Sequence, residues 1–126
     1  MPAYARGLFG VAAVLNFLVG LILLAAPATA MAFAGVGPVP ANAVVLVWFA
    51  GIMIGVFGYC YARIALDPAT YRPLVHIGAV GKLLAVGCAL AVWALGLDGP
   101  RLARVLAPDA VFAILFLDYL RRTKRA

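Results

Sequence analysis

The chain has 126 residues, of which 67% are hydrophobic and 11% charged, and a formal net charge of +6. Soluble domains carry about 25% charged residues, and so small a globule leaves too much surface in water to hide this composition. A soluble domain is therefore excluded, and lipid is the expected solvent.

No charged residue lies between Arg6 and Arg63. A helix needs roughly 20 apolar residues to cross a bilayer, and the first such span is predicted over Gly7–Ala26. Pro27 ends it, because proline cannot continue the hydrogen-bond ladder. The small residues Ala28–Ala32 imitate a secretory cleavage site. A signal core spans only about 7–15 residues, so a retained transmembrane helix is expected. Ala28–Ala41 holds Gly35, Gly37, Pro38 and Pro40, which predicts a loop with a partly helical first half. Asn42 suits an N-cap, and the second span is predicted over Asn42–Leu66. Asp67-Pro68 marks a turn. The third span is predicted over Pro73–Leu97, with Pro73 in its first turn. After the turn Asp98-Gly99-Pro100, the fourth is predicted over Leu102–Leu120, with Pro108 as a second candidate start. The expected fold class is all-α: a four-transmembrane-helix bundle forming one integral membrane domain over residues 1–126. The Ala, Leu, Val and Gly bias, without alternating polar strands, argues against a membrane β-barrel.

Basic residues predict the orientation. Arg6, Arg63, Arg72, Arg121, Arg122, Lys124 and Arg125 fall on one side of such a bundle, against Arg101 and Arg104 on the other. The positive-inside rule then places both termini in the cytoplasm. Tyr59, Tyr61, Tyr71 and Tyr119 are expected to form an interfacial belt on that side. The tail Arg121, Arg122, Lys124 and Arg125 reads as contact with anionic lipid headgroups, in preference to nucleic acid. Cys60 and Cys88 form no C-x-x-C and read as buried small apolar residues.

Gly51, Gly55 and Gly58 form a small-residue stripe, and Gly78 and Gly81 precede Lys82. Such spacing lets helix backbones approach inside lipid, where packing replaces the hydrophobic effect. The plainer reading is that glycine is common in membrane helices.

Lys82 is the main candidate functional residue. It lies roughly 13 Å into the third span at 1.5 Å per residue, where a lysine costs roughly 2.5–3.5 kcal/mol on insertion scales. Either it snorkels toward the interface or it has a buried partner. Asp109 and Asp118 are the candidates. Nine helical steps put them on nearly opposite faces of one helix, so only one faces the interior. Asp118 has Arg121 and Arg122 one turn away, which favours Asp109, although Asp109 also suits a helix N-terminus after Pro108. Asn16 lies at similar depth on the first span; it forms a third member of an intramembrane polar cluster or merely bonds a neighbouring helix. Intramembrane ionisable groups commonly mark ion paths, proton relays or ligand counter-ions. His76 and Tyr59, with Asp118, read as polar residues near the cytoplasmic side.

The chain has no glutamate and one histidine. Paired axial haem ligands and histidine-rich di-iron sites are thus absent within one chain. Nucleophile-elbow, phosphate-loop and metal-ligand motifs are missing too. No cofactor, metal or catalytic residue is expected.

Asn16 to Pro27, Phe57-Gly58-Tyr59, Arg72-Pro73 with Ile77-Gly78-Ala79-Val80-Gly81-Lys82-Leu83, and Pro108-Asp109-Ala110-Val111-Phe112-Ala113 with Phe116-Leu117 together resemble a set of small four-helix bacterial membrane proteins without an assigned activity. The chain is more loosely similar to DoxX-like proteins. The resemblance implies a four-helix inner-membrane protein and supplies no catalytic assignment. DoxX-like proteins are often associated with redox or quinone-linked complexes, and this chain lacks a residue set specific to that role.

Three functions follow as expectations. The first is a non-enzymatic protein acting by helix–helix association, as a homo-oligomer or an accessory subunit of a membrane complex, with Lys82 and Asp109 as a latch. The second is a small oligomeric transporter or channel using the Asn16, Lys82 and Asp109 cluster. The third is a lipid- or quinone-linked enzyme using Lys82 or His76.

Overall fold

A computed structural model describes residues 2–97 and 99–124. Asp98 in the third connection and Arg125 in the basic tail lie outside the described residues. Of the described residues 81% are helical, and none lies in a strand. A backbone in hydrocarbon must satisfy its own polar groups, which a helix does within one segment. The helices are α1 (Ala5–Ala25), α2 (Pro27–Ala34), α3 (Val44–Leu66), α4 (Arg72–Ala94), α5 (Arg101–Val105) and α6 (Ala107–Arg122), with a 3-10 turn over Ala41–Ala43 before α3. Three of them are long and apolar enough to cross a membrane: α1, α3 with its preceding turn, and α4.

Several boundaries differ from expectation, each for a local reason. Asn42 sits inside the 3-10 turn and does not cap α3, whose N-cap is Ala43 with no side-chain bond. The third span was predicted to Leu97, but α4 stops at Ala94. Gly96 adopts φ 70°, and its N–H donates to the Trp93 carbonyl while that of Leu97 donates to Val92, both at 3.0 Å. This left-handed stop is open to glycine because it has no Cβ. Gly35 ends α2 in the same way, with φ 78°. The predicted fourth span is broken at Leu106 into α5 and α6. Pro108 lacks an N–H, and its ring crowds the carbonyl four residues back at Arg104. Both candidate starts thus begin helices, near Leu102 and near Pro108.

The helices associate as two pairs, α1 with α3 and α4 with α6. Glycine decides the first pair. A Cβ built on Gly20 would lie 2.8 Å from the Gly51 carbonyl oxygen, and one on Gly51 would lie 2.9 Å from the Gly20 oxygen. A Cβ on Gly58 would lie 3.1 Å from the Asn16 Cβ. The backbones of α1 and α3 therefore touch, which is the contact small residues permit.

The two pairs meet through large aromatic and aliphatic side chains at the end bearing Arg6, Arg63, Arg72 and Arg121. Phe9, Tyr61, Ile64, Val75, Phe116 and Tyr119 are all buried there. The Phe9 ring lies 4.8 Å from Phe116 and 5.2 Å from Tyr119, centroid to centroid, and Tyr61 lies 5.2 Å from Phe116. Offset and edge-to-face arrangements of this kind contribute beyond the area they cover. Tyr61 and Tyr119 are thus core residues and not part of the expected belt, whereas Tyr59 is exposed. Cys88 also departs from expectation. It faces outward, and Cys60 is only half-buried; both thiols are free.

The basic residues at this end satisfy helix termini. The Arg6 guanidinium donates to the Leu66 carbonyl at 3.0 Å, closing the end of α3. Arg72 donates to the Leu120 carbonyl at 2.8 Å and to Thr123 Oγ1 at 2.7 Å, closing the end of α6. A cation also suits the negative end of a helix dipole. Arg63 donates to the Tyr71 hydroxyl. In the connection between α3 and α4, hydrogen bonds from Thr70 hold the exposed Asp67 carboxyl below the usual carboxylate range. Arg72→Ala is expected to lower stability by about 1–2 kcal/mol, because two part-buried acceptors lose their donor. Thermal unfolding in detergent micelles measures this, and an unchanged midpoint would show that the bridge carries no weight.

Candidate functional site

Lys82 and Asp109 form an ion pair between α4 and α6, with Nζ donating to Oδ1 at 2.5 Å. Lys82 follows ten residues of α4 and is therefore roughly 15 Å from the start of that helix. The periodicity of α4 points its side chain inward with Val75, Gly78 and Ala79, all buried. Only 6% of the Lys82 side chain is exposed, against 29% for Asp109. Asp109 reaches this position because the break at Leu106 starts α6 just before it. Its carboxylate stands in the first turn of α6, where the positive end of the helix dipole favours an anion.

Two rings flank the ammonium group. Lys82 Nζ lies 5.4 Å from the Tyr61 ring centroid and 5.3 Å from that of Phe112. Both are within the range of cation–π attraction. Phe112 is three residues beyond Asp109 and so shares its face of α6. Tyr61 comes across from α3, resting against Gly78, where a Cβ would lie 2.6 Å from its ring. Gly81 likewise makes room for Phe57, whose ring would stand 3.1 Å from an added Cβ.

A cavity of about 390 Å³ lies between the two helix pairs beside this centre. Leu15 and Val19 of α1, Met53, Ile54 and Phe57 of α3, and Ala85 of α4 form apolar walls. Asn16, Tyr61, Lys82 and Asp109 supply its polar atoms. Asn16 lines the cavity but does not bond the ion pair: its Nδ2 donates to the Ile54 carbonyl of α3 at 3.2 Å. It joins α1 to α3 as an interhelical hydrogen bond.

The other candidate residues lie elsewhere. Asp118 pairs locally with Arg121 at 2.9 Å and Arg122 at 2.7 Å. Such exposed pairs contribute little, because water screens them. His76 and Tyr59 are exposed and away from the cavity lining. Gly51 and Gly58 pack on α1, while a Cβ on Gly55 would meet nothing within 4 Å. Among the described residues, no group of His, Cys, Asp and Glu side chains suits a metal ion.

Sequence reasoning missed Gly20, Tyr61 and Phe112 as parts of this arrangement. Gly20 was detectable in principle. It shares one face of α1 with Ala13 and Asn16 at helical spacing, and it is the small residue in an otherwise bulky run. Tyr61 carried no such signal, since tyrosine is equally at home at an interface or over a cation. No protein-family model, curated protein or solved structure matches the chain.

Proposed function

We propose that this is a four-crossing membrane protein that binds a small molecule within the bilayer, in the cavity between its helix pairs. The fourth crossing in this reading is α5 together with α6. At 1.5 Å per residue, α6 alone covers roughly 24 Å, and the stretch from Arg101 to Arg122 roughly 33 Å. The distribution of arginine supports cytoplasmic termini. The resemblance to small four-helix bacterial membrane proteins is what suggests a bacterial inner membrane.

The observation that carries the binding reading is the cavity with an ion pair in its wall. Ligand sites are concave and mostly apolar, with few convergent polar groups, at volumes of about 300–1,000 Å³. Many transporters likewise build their substrate sites from discontinuous membrane helices, and Asp109 stands just after the break at Leu106. The transporter or channel alternative therefore gains support relative to association. Helix–helix association draws less, because Gly51, Gly58, Gly78 and Gly81 each face a neighbour inside the same chain. The Lys82–Asp109 latch is likewise intrachain. Arg121, Arg122 and Lys124 remain the proposed headgroup contacts.

Filling the cavity tests the reading. Ala85 lines it and is half-buried. The wild-type protein, purified in mild detergent, is expected to retain a bound small molecule detectable by mass spectrometry. Ala85→Phe is expected to lose it while keeping its thermal midpoint within a few degrees. Identical extracts from the two folded proteins would defeat the proposal.

A further inference from the structure

We infer that the cavity accepts an uncharged lipid with a hydroxyl head, which bonds both members of the Lys82–Asp109 pair; this rests on the binding reading above. The first argument is charge balance. Lys82 and Asp109 neutralise each other in a region of low dielectric. A cationic guest that took the carboxylate would leave the Lys82 ammonium buried without its partner. An anionic guest that took the ammonium would leave Asp109 uncompensated. Breaking a buried pair in either way is costly, and the cost rises inside a membrane. An uncharged head group that joins the pair without separating it avoids both penalties.

Hydrogen-bond capacity narrows the chemistry. An ammonium has three donors and a carboxylate about four acceptor positions. One of each is used in the 2.5 Å bond. The carboxylate is the more open partner, with 29% of the Asp109 side chain exposed. A hydroxyl both donates and accepts, so a single oxygen serves the carboxylate and the ammonium together. A carbonyl accepts only and leaves the carboxylate unserved. The Tyr61 and Phe112 rings close two sides of the ammonium. The approach of a head group is therefore confined to the cavity side, where Asp109 stands.

The walls describe the rest of the guest. Leu15, Val19, Met53, Ile54 and Phe57 offer hydrocarbon from two helices. An alkyl chain fits such a surface, and apart from Asn16 and Tyr61 the α1 and α3 walls offer a second polar group no side-chain partner.

Photolabelling tests the inference. The full protein is reconstituted in phosphatidylethanolamine and phosphatidylglycerol vesicles with one of three diazirine-bearing probes of equal chain length. These are hexadecanol, hexadecyl sulfonate and hexadecyltrimethylammonium. The alcohol is expected to label peptides containing Leu15, Met53 and Phe57 about tenfold more than either charged probe, equivalent to ~1.4 kcal/mol. Excess unlabelled hexadecanol is expected to compete. In Lys82→Met/Asp109→Leu, the alcohol is expected to lose its advantage over a matched alkane probe. Equal or stronger labelling by a charged probe would overturn the hydroxyl assignment while leaving the cavity as a binding site. If no probe labels these peptides above the level in Ala85→Phe, the binding reading falls as well. The ranking of the three probes on wild-type protein decides the matter even if the double variant does not fold.

Discussion

Asp109→Leu is expected to destabilise the protein by about 3 kcal/mol, because it leaves the Lys82 ammonium buried and unpaired. Lys82→Met is expected to cost less, about 1–2 kcal/mol, because Asp109 is the more exposed partner and retains some access to a polar environment. Combining the two changes is expected to restore stability to within about 1 kcal/mol of wild type, since an apolar pair can replace a buried ion pair. The signature is thus strong non-additivity, which a double-mutant cycle measures directly. Reversible unfolding in mixed micelles supplies the four free energies. Additive single effects would mean that the two side chains act independently, and the proposed centre would then lose its physical basis. The cycle also separates stability from binding. The double variant should fold, yet its cavity should no longer distinguish a hydroxyl head from plain hydrocarbon.

The second large effect belongs to the contact between α1 and α3. Gly51→Leu is expected to cost at least about 3 kcal/mol, the upper end for overpacking. Its Cβ alone would meet the Gly20 carbonyl oxygen at 2.9 Å and the Leu23 Cβ at 3.0 Å. Backbone atoms cannot rotate away as a side chain can, so the two helices must separate along their length. Gly55→Ala provides the control one turn away. Its added methyl meets nothing within 4 Å, and removing a helical glycine reduces the entropy lost on folding by about 0.5–1 kcal/mol. It should therefore be neutral or mildly stabilising. Comparing the two unfolding midpoints tests whether close backbone approach, and not glycine content, holds the pair together. A tolerated Gly51→Leu would contradict the packing described above.

These two predictions differ in how readily they could be anticipated. The pairing of Lys82 with Asp109 was open to argument from the chain alone. The presence of Arg121 and Arg122 beside Asp118 pointed toward it, while a capping role after Pro108 stood as the alternative for Asp109. The stripe of Gly51 and Gly58 was visible, but its partner was not. Nothing in their spacing says whether they face another copy of the chain, a lipid or Gly20. Likewise Tyr61 read as an interfacial residue, because position near a helix end is all that linear order reveals. Its burial depends on which helix stands opposite, and there Gly78 leaves a space of the right size.

The order of residues by itself determined the apolar helical character of this chain. Length without charge is a local property, and hydrocarbon admits so apolar a chain only with its backbone bonds made internally. It also determined where α1, α2 and α4 stop, through proline and glycine acting on their immediate neighbours. The tertiary structure alone decided which glycines meet and which aromatic rings surround the ammonium group. It also decided that the broken segment before Asp109 turns that carboxylate toward Lys82. Those choices rest on the rotation and separation of helices distant in the chain. Such quantities are set by all the side-chain volumes at once, and no single stretch of residues encodes them.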